Sequence, residues 1–147
     1  MKQLLAILLF SITASAVNAQ ASDTLRIYLN GKLVWHNTGI QTMDVKTITI
    51  PQKKLKTAVL TFDCRPSEPR PDWRRSFQFA DSEGQPAFQK DFKKASGKFV
   101  IKASEFKAAL AKNKRLQLFT YTQPPEGSLL AGTIRLQRTF MCELFLQ

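Results

Sequence analysis

The chain has 147 residues, 44% of them apolar, with 22 Lys and Arg against 11 Asp and Glu and a formal net charge of +11. This is a globular composition of one-domain length, not a disordered one. One histidine and two cysteines exclude a zinc site with four Cys/His ligands, and no apolar run after residue 20 is long enough for a spanning helix.

Residues 1–19 carry Lys2, an apolar stretch from Leu4 to Ile12 and a small-residue end at Val17-Asn18-Ala19. This is the pattern of a secretory signal peptide, with cleavage expected near Ala19 and a mature domain over 20–147. The expected location is therefore secreted or periplasmic. In that setting Cys64 and Cys142, the only cysteines, are expected to form a disulfide. Cys64 shares period-two parity with Leu60 and Phe62, and Cys142 with Ile134, Leu136 and Leu144. A bridge between them would close a long loop and be worth about 4–5 kcal/mol by loop entropy.

Thr24–Leu29 and Lys32–His36 flank Asn30-Gly31, the residue pair that suits a type I′ hairpin turn. A regular two-residue hairpin sets Ile27 opposite Val34, Tyr28 opposite Leu33 and Arg26 opposite Trp35. Tyr28, Leu33 and Trp35 then form an outer patch, a candidate partner surface, with Arg26 stacked on the indole. His36 falls on the Leu25/Ile27 face and is read as structural, not as a general base, because no nucleophile accompanies it.

Strands are expected at Val45–Ile50, Thr57–Cys64, Arg75–Asp81, Ala87–Phe92, Lys98–Lys102, Leu116–Thr122 and Leu130–Leu144. Ser104–Asn113 breaks the alternation. Phe106, Ala109 and Leu110 share a helical face, Ser104 is placed to cap it, and Asn113 to end it. The pattern predicts an all-β antiparallel sandwich, immunoglobulin-like or Greek-key, with one short crossover helix; a partly closed barrel is the alternative.

Arg65-Pro-Ser-Glu-Pro-Arg-Pro-Asp-Trp-Arg-Arg75 follows Cys64. Prolines stiffen this loop, and Arg65, Arg70, Trp73, Arg74 and Arg75 are candidate ligand contacts, since guanidinium forks match anionic groups. The alternative is a stiff connector, with Trp73 tucked over the core and the arginines solvated. Further basic clusters lie at Lys53, Lys54 and Lys56, at Lys90, Lys93, Lys94 and Lys98, and around the helix. Such charge favours acidic partners. No metal, cofactor, nucleotide or nucleic-acid signature is present, and no paired carboxylates stand out. The expected function is a non-enzymatic binding or interaction module of the cell envelope. Its partner is an envelope protein or an acidic glycan or lipid, not nucleic acid. The alternatives are a binder of anionic glycan or lipid through the basic loop and a small hydrolase.

Overall fold

The computed structural model describes residues 23–37, 46–133 and 136–147; the signal peptide expected over 1–19 lies outside the described residues. Two sheets enclose one apolar core, as the alternation predicts. The first sheet contains β1 (Thr24–Leu29), β2 (Lys32–His36), β4 (Val59–Arg65) and β7 (Gly97–Lys102), in the order β2-β1-β4-β7. The second contains β3 (Thr47–Ile50), β5 (Arg74–Ala80), β6 (Pro86–Phe92), β8 (Arg115–Gln123) and β9 (Thr139–Leu146), in the order β3-β9-β8-β5-β6. The chain changes sheet at β2–β3, β3–β4, β4–β5, β6–β7 and β7–β8. Neighbours β4 and β7 in one sheet, and β6-β5-β8-β9 in the other, follow the B–E and C′–C–F–G order of an immunoglobulin-like sandwich. One pair departs from the antiparallel expectation. β3 runs parallel to β9, with Ile48 beside Leu144 and Ile50 beside Leu146.

The core is rich in phenylalanine. Phe62 of the first sheet and Phe77 of the second have ring centroids 4.2 Å apart, and Phe99 lies 5.7 Å from Phe77. Such pairs add about 0.5–1.5 kcal/mol each beyond area burial. The helix α1 (Ala103–Asn113) closes one end by stacking Phe106 on Phe79 at 4.6 Å. Ala103, Phe106 and Leu110 are its buried face. Ser104 is not its cap. The cap position is Lys102, whose extended backbone N–H donates to the Glu105 carboxylate at 2.9 Å. Lys114, with φ of 58°, ends the helix by donating its N–H to the Leu110 carbonyl. Asn113 instead bonds back to Ala109.

The first hairpin holds the expected turn, with φ of 50° at Asn30 and 81° at Gly31. Its register does not stay regular. Tyr28 faces Leu33 as expected, but Ile27 faces Trp35 and Arg26 faces His36. A bulge leaves Val34 as the extra residue, and a one-residue slip reverses every face beyond it. Trp35 is therefore turned into the core, 9% exposed, and His36 is turned out. The expected partner surface of Tyr28, Leu33 and Trp35 is thereby broken, and Arg26 has no indole outside the sheet to stack on.

The last strand is shorter than expected. Residues 128–133 make turns, with Ala131 N–H to Ser128 O and Thr133 N–H to Leu130 O, so they are lost to the ladder. A further register shift, between Leu118 and Phe119, leaves Cys142 beside Leu118 and brings Phe140 beside Phe119.

The disulfide is the other correction. Cys64 and Cys142 are both buried, as their parity implies, but they are free thiols. Cys64 lies at the level where β5 begins, close enough to Arg75 to feel its charge. Cys142 pairs with Leu118, which pairs with Phe79. Arg75 and Phe79 are four residues apart on one strand, about 13 Å. A bridge needs Cα atoms within about 7 Å.

Candidate functional site

The proline-rich loop joins β4 to β5 across one end of the sandwich. Pro66, Pro69 and Pro71 fix φ at three positions, and a turn from Trp73 N–H to Arg70 O shapes its tip. The loop is tied to the start of β1. The Asp23 carboxylate accepts from Ser67 N–H at 3.1 Å, while the Asp23 carbonyl accepts from the Asn37 side chain.

The five candidate ligand contacts do not act together. Arg65 turns away and pairs with Asp63 at 3.3 Å, beside a second, more open depression of about 670 Å³. Arg74 points toward Glu126, 3.8 Å away. Arg70, Trp73 and Arg75 converge on a single cavity of about 450 Å³, together with Asp23, Thr120, Thr122 and Leu136. That volume is within the range of small-molecule sites.

Arg75 is the floor of this cavity. It shares the inward parity of Phe77 and Phe79, and it is 1% exposed. Its Nε donates to Ala95 O at 2.6 Å, Nη1 to Thr120 Oγ1 at 3.1 Å, and Nη2 meets the Asp23 carboxylate at 3.5 Å. Thr120 in turn donates to the Ser76 carbonyl at 3.0 Å, which fixes its hydroxyl. Arg70 sits higher. Its guanidinium covers one face of Trp73 at 4.5 Å and donates to Thr122 Oγ1 at 3.2 Å. Among the described residues, no carboxylate lies within ion-pair distance of Arg70. The cavity can thus take a small anionic or hydrogen-bonding group against an aromatic wall.

Cys64 lies behind the floor. Burial pushes its thiol up from the usual 9.0 to about 12; the Arg75 cation opposes this, and Asp63 and Asp23 add to it. It is an inert thiol at neutral pH. Burial likewise raises the Cys142 thiol. Among the described residues, His36 bonds to its neighbour's carbonyl, at 3.3 Å. Among the described residues, no group of His, Cys, Asp and Glu could hold a metal ion, and no helix is long and apolar enough to cross a membrane.

Several residues of this end carry no sequence signal of their role. Asp23 lies just before β1, far along the chain from Arg75. Thr120 and Thr122 look like ordinary strand threonines. A further aromatic strip on the outer face of the second sheet also stood outside the sequence reading. Phe119 and Phe140 meet at 5.5 Å there, and Arg138 lies over Phe119 at 4.7 Å while bonding Gln78. In that strip the period-two pattern was legible, but the bulge that aligns Phe140 with Phe119 was not.

No family model matches the chain, and no curated protein matches it.

Proposed function

We propose that this chain is an exported, non-enzymatic binding module of the cell envelope, and that its binding end is the cavity beneath the proline-rich loop. The observation that carries this is the convergence of Arg70, Trp73 and Arg75 on one cavity at the end of a rigid sandwich. Loops at sandwich ends, held by a stable scaffold, are where such folds commonly bind. A binding role is also favoured over hydrolysis by the groups at hand. Among the described residues, the cavity has one carboxylate, Asp23, already engaged by Arg75, and His36 does not line it. Export rests on the Lys2 to Ala19 pattern.

The test is retention of the purified protein on a cell-envelope fraction at low and high salt, beside Arg70→Ala and Trp73→Ala variants. Saturable retention, lost in the variants, is the expected result. No retention of the wild-type protein at either salt would remove the reading. Full retention by both variants would move the binding end elsewhere.

A further inference from the structure

Two guanidinium groups face this cavity from fixed anchors. Arg75 is held on Thr120 and Arg70 on Thr122. These threonines are two residues apart on β8, so they share the inward face about 7 Å apart. Both guanidinium groups line the same cavity, so one carboxylate could accept a charge-assisted hydrogen bond from each. The groups are also incompletely used. Arg75 has five N–H donors and three contacts, and the carboxylate contact is long, 3.5 Å. Two arginines against one Asp23 leave a single net positive charge among the described residues around the cavity. That balance matches a monoanion better than a phosphate dianion.

The remaining lining sets the ligand's body. Asn37, Gln137 and three threonines are hydrogen-bonding groups, whereas Leu25, Leu136, Trp73 and Tyr121 bring apolar or aromatic surface. Hydroxyls and amides share the lining about evenly with apolar and aromatic groups, a mixture that suits a sugar ring, which has an apolar face and a rim of hydroxyls. We propose that the Arg70–Arg75 pair is a carboxylate receptor for an acidic sugar of the uronic-acid type. This deepens the binding-end reading and rests on it. The sugar carboxylate is taken between the two guanidinium groups, its ring lies by Trp73, and its hydroxyls exchange hydrogen bonds with the threonine and amide lining.

The test is calorimetric titration of the purified protein with trigalacturonic acid, its methyl ester, and a short peptide as free acid and as amide. The acid sugar is expected to bind saturably, and the ester at least about tenfold more weakly, because one charge-assisted contact is worth that much. Arg70→Gln, at a half-buried position, is expected to cost about tenfold with folding unchanged by circular dichroism. Thr122→Val, which removes the anchor of Arg70 and one hydroxyl of the lining but keeps the guanidinium charge, should cost less. Equal binding of acid and ester, an Arg70→Gln protein that binds like wild type, or no saturable binding of the sugar acid would overturn the proposal. Binding of the peptide acid alone would overturn the sugar assignment. If envelope retention persists in Arg70→Gln while the titration is silent, the carboxylate proposal fails and the broader module reading stands.

Discussion

Replacing Asp23 by Ala tests whether the floor of the cavity is a structural ion pair. The Arg75 side chain is 2% exposed and that of Asp23 37%, so the substitution removes the partner from the more deeply buried ion. Breaking a fully buried pair costs about 3–5 kcal/mol, whereas an exposed pair is worth about 0–1. This pair lies between those limits. The contact is long, and Arg75 keeps Ala95 O and Thr120. Loss of the Asp23 bond to the exposed Ser67 amide adds little, because water replaces it. The expected loss is about 2 kcal/mol. At roughly 4 °C per kcal/mol for a domain of this size, the melting temperature should fall by about 8 °C. Urea denaturation of the wild type, Asp23→Ala, Arg75→Met and the double variant supplies the coupling energy, expected at about 1–2 kcal/mol. A single-variant loss below about 0.5 kcal/mol would refute the reasoning, as would additive losses in the double variant.

Trp35→Ala should destabilise by about 3 kcal/mol in urea, as a buried aromatic, while Leu33→Ala, at 45% exposure, should change little. Both thiols should resist alkylation in the native protein and react on unfolding, and intact mass should show no bridge. The raised Cys64 pKa contributes stability that is complete below 9.0 and lost as pH rises from there toward about 12. Cys64→Ala should therefore lose less stability over that alkaline range, measured by urea midpoints. Glu105 is shifted the other way. The Lys90 ammonium bonded to it, and then the Lys102 backbone N–H, hold its carboxyl below the usual 4.5. Its contribution is present above 4.5 and lost as pH falls through the depressed value, so Glu105→Gln should flatten the acid limb of thermal stability.

Period two made most of the sandwich legible. It placed Phe62, Phe77 and Cys64 inward and found eight of the strand positions to within a few residues. Even Arg75 was legible in this sense, since it continues the parity of Phe77 and Phe79. What it bonds to was not, because Asp23, Ala95 and Thr120 reach it only through strand pairing and sheet stacking. The hairpin shows the opposite failure. Asn30-Gly31 fixed the turn, yet one unpaired Val34 reversed Trp35 and His36, and nothing local marks that bulge. The cysteines failed for a third reason. Parity predicts a face but not a height along the strand, and the two thiols share the core at different heights. In the basic loop, composition suggested five equivalent contacts. Ion pairs with Asp63 and Glu126 withdrew Arg65 and Arg74 and left the cavity to the other three.

The parallel pairing of β3 with β9 also governs the order of assembly. Ile48 can meet Leu144 only after most of the intervening chain has been gathered, so this ladder carries the largest closure entropy of the fold. The β5–β6 hairpin, by contrast, forms between neighbours. β3 should thus dock after the rate-limiting step, as a late latch on a sheet already built. Shaving Ile48 to Val would then hasten unfolding and leave the folding arm of a chevron plot almost unmoved. A slowed folding arm would instead put this distant contact inside the nucleus.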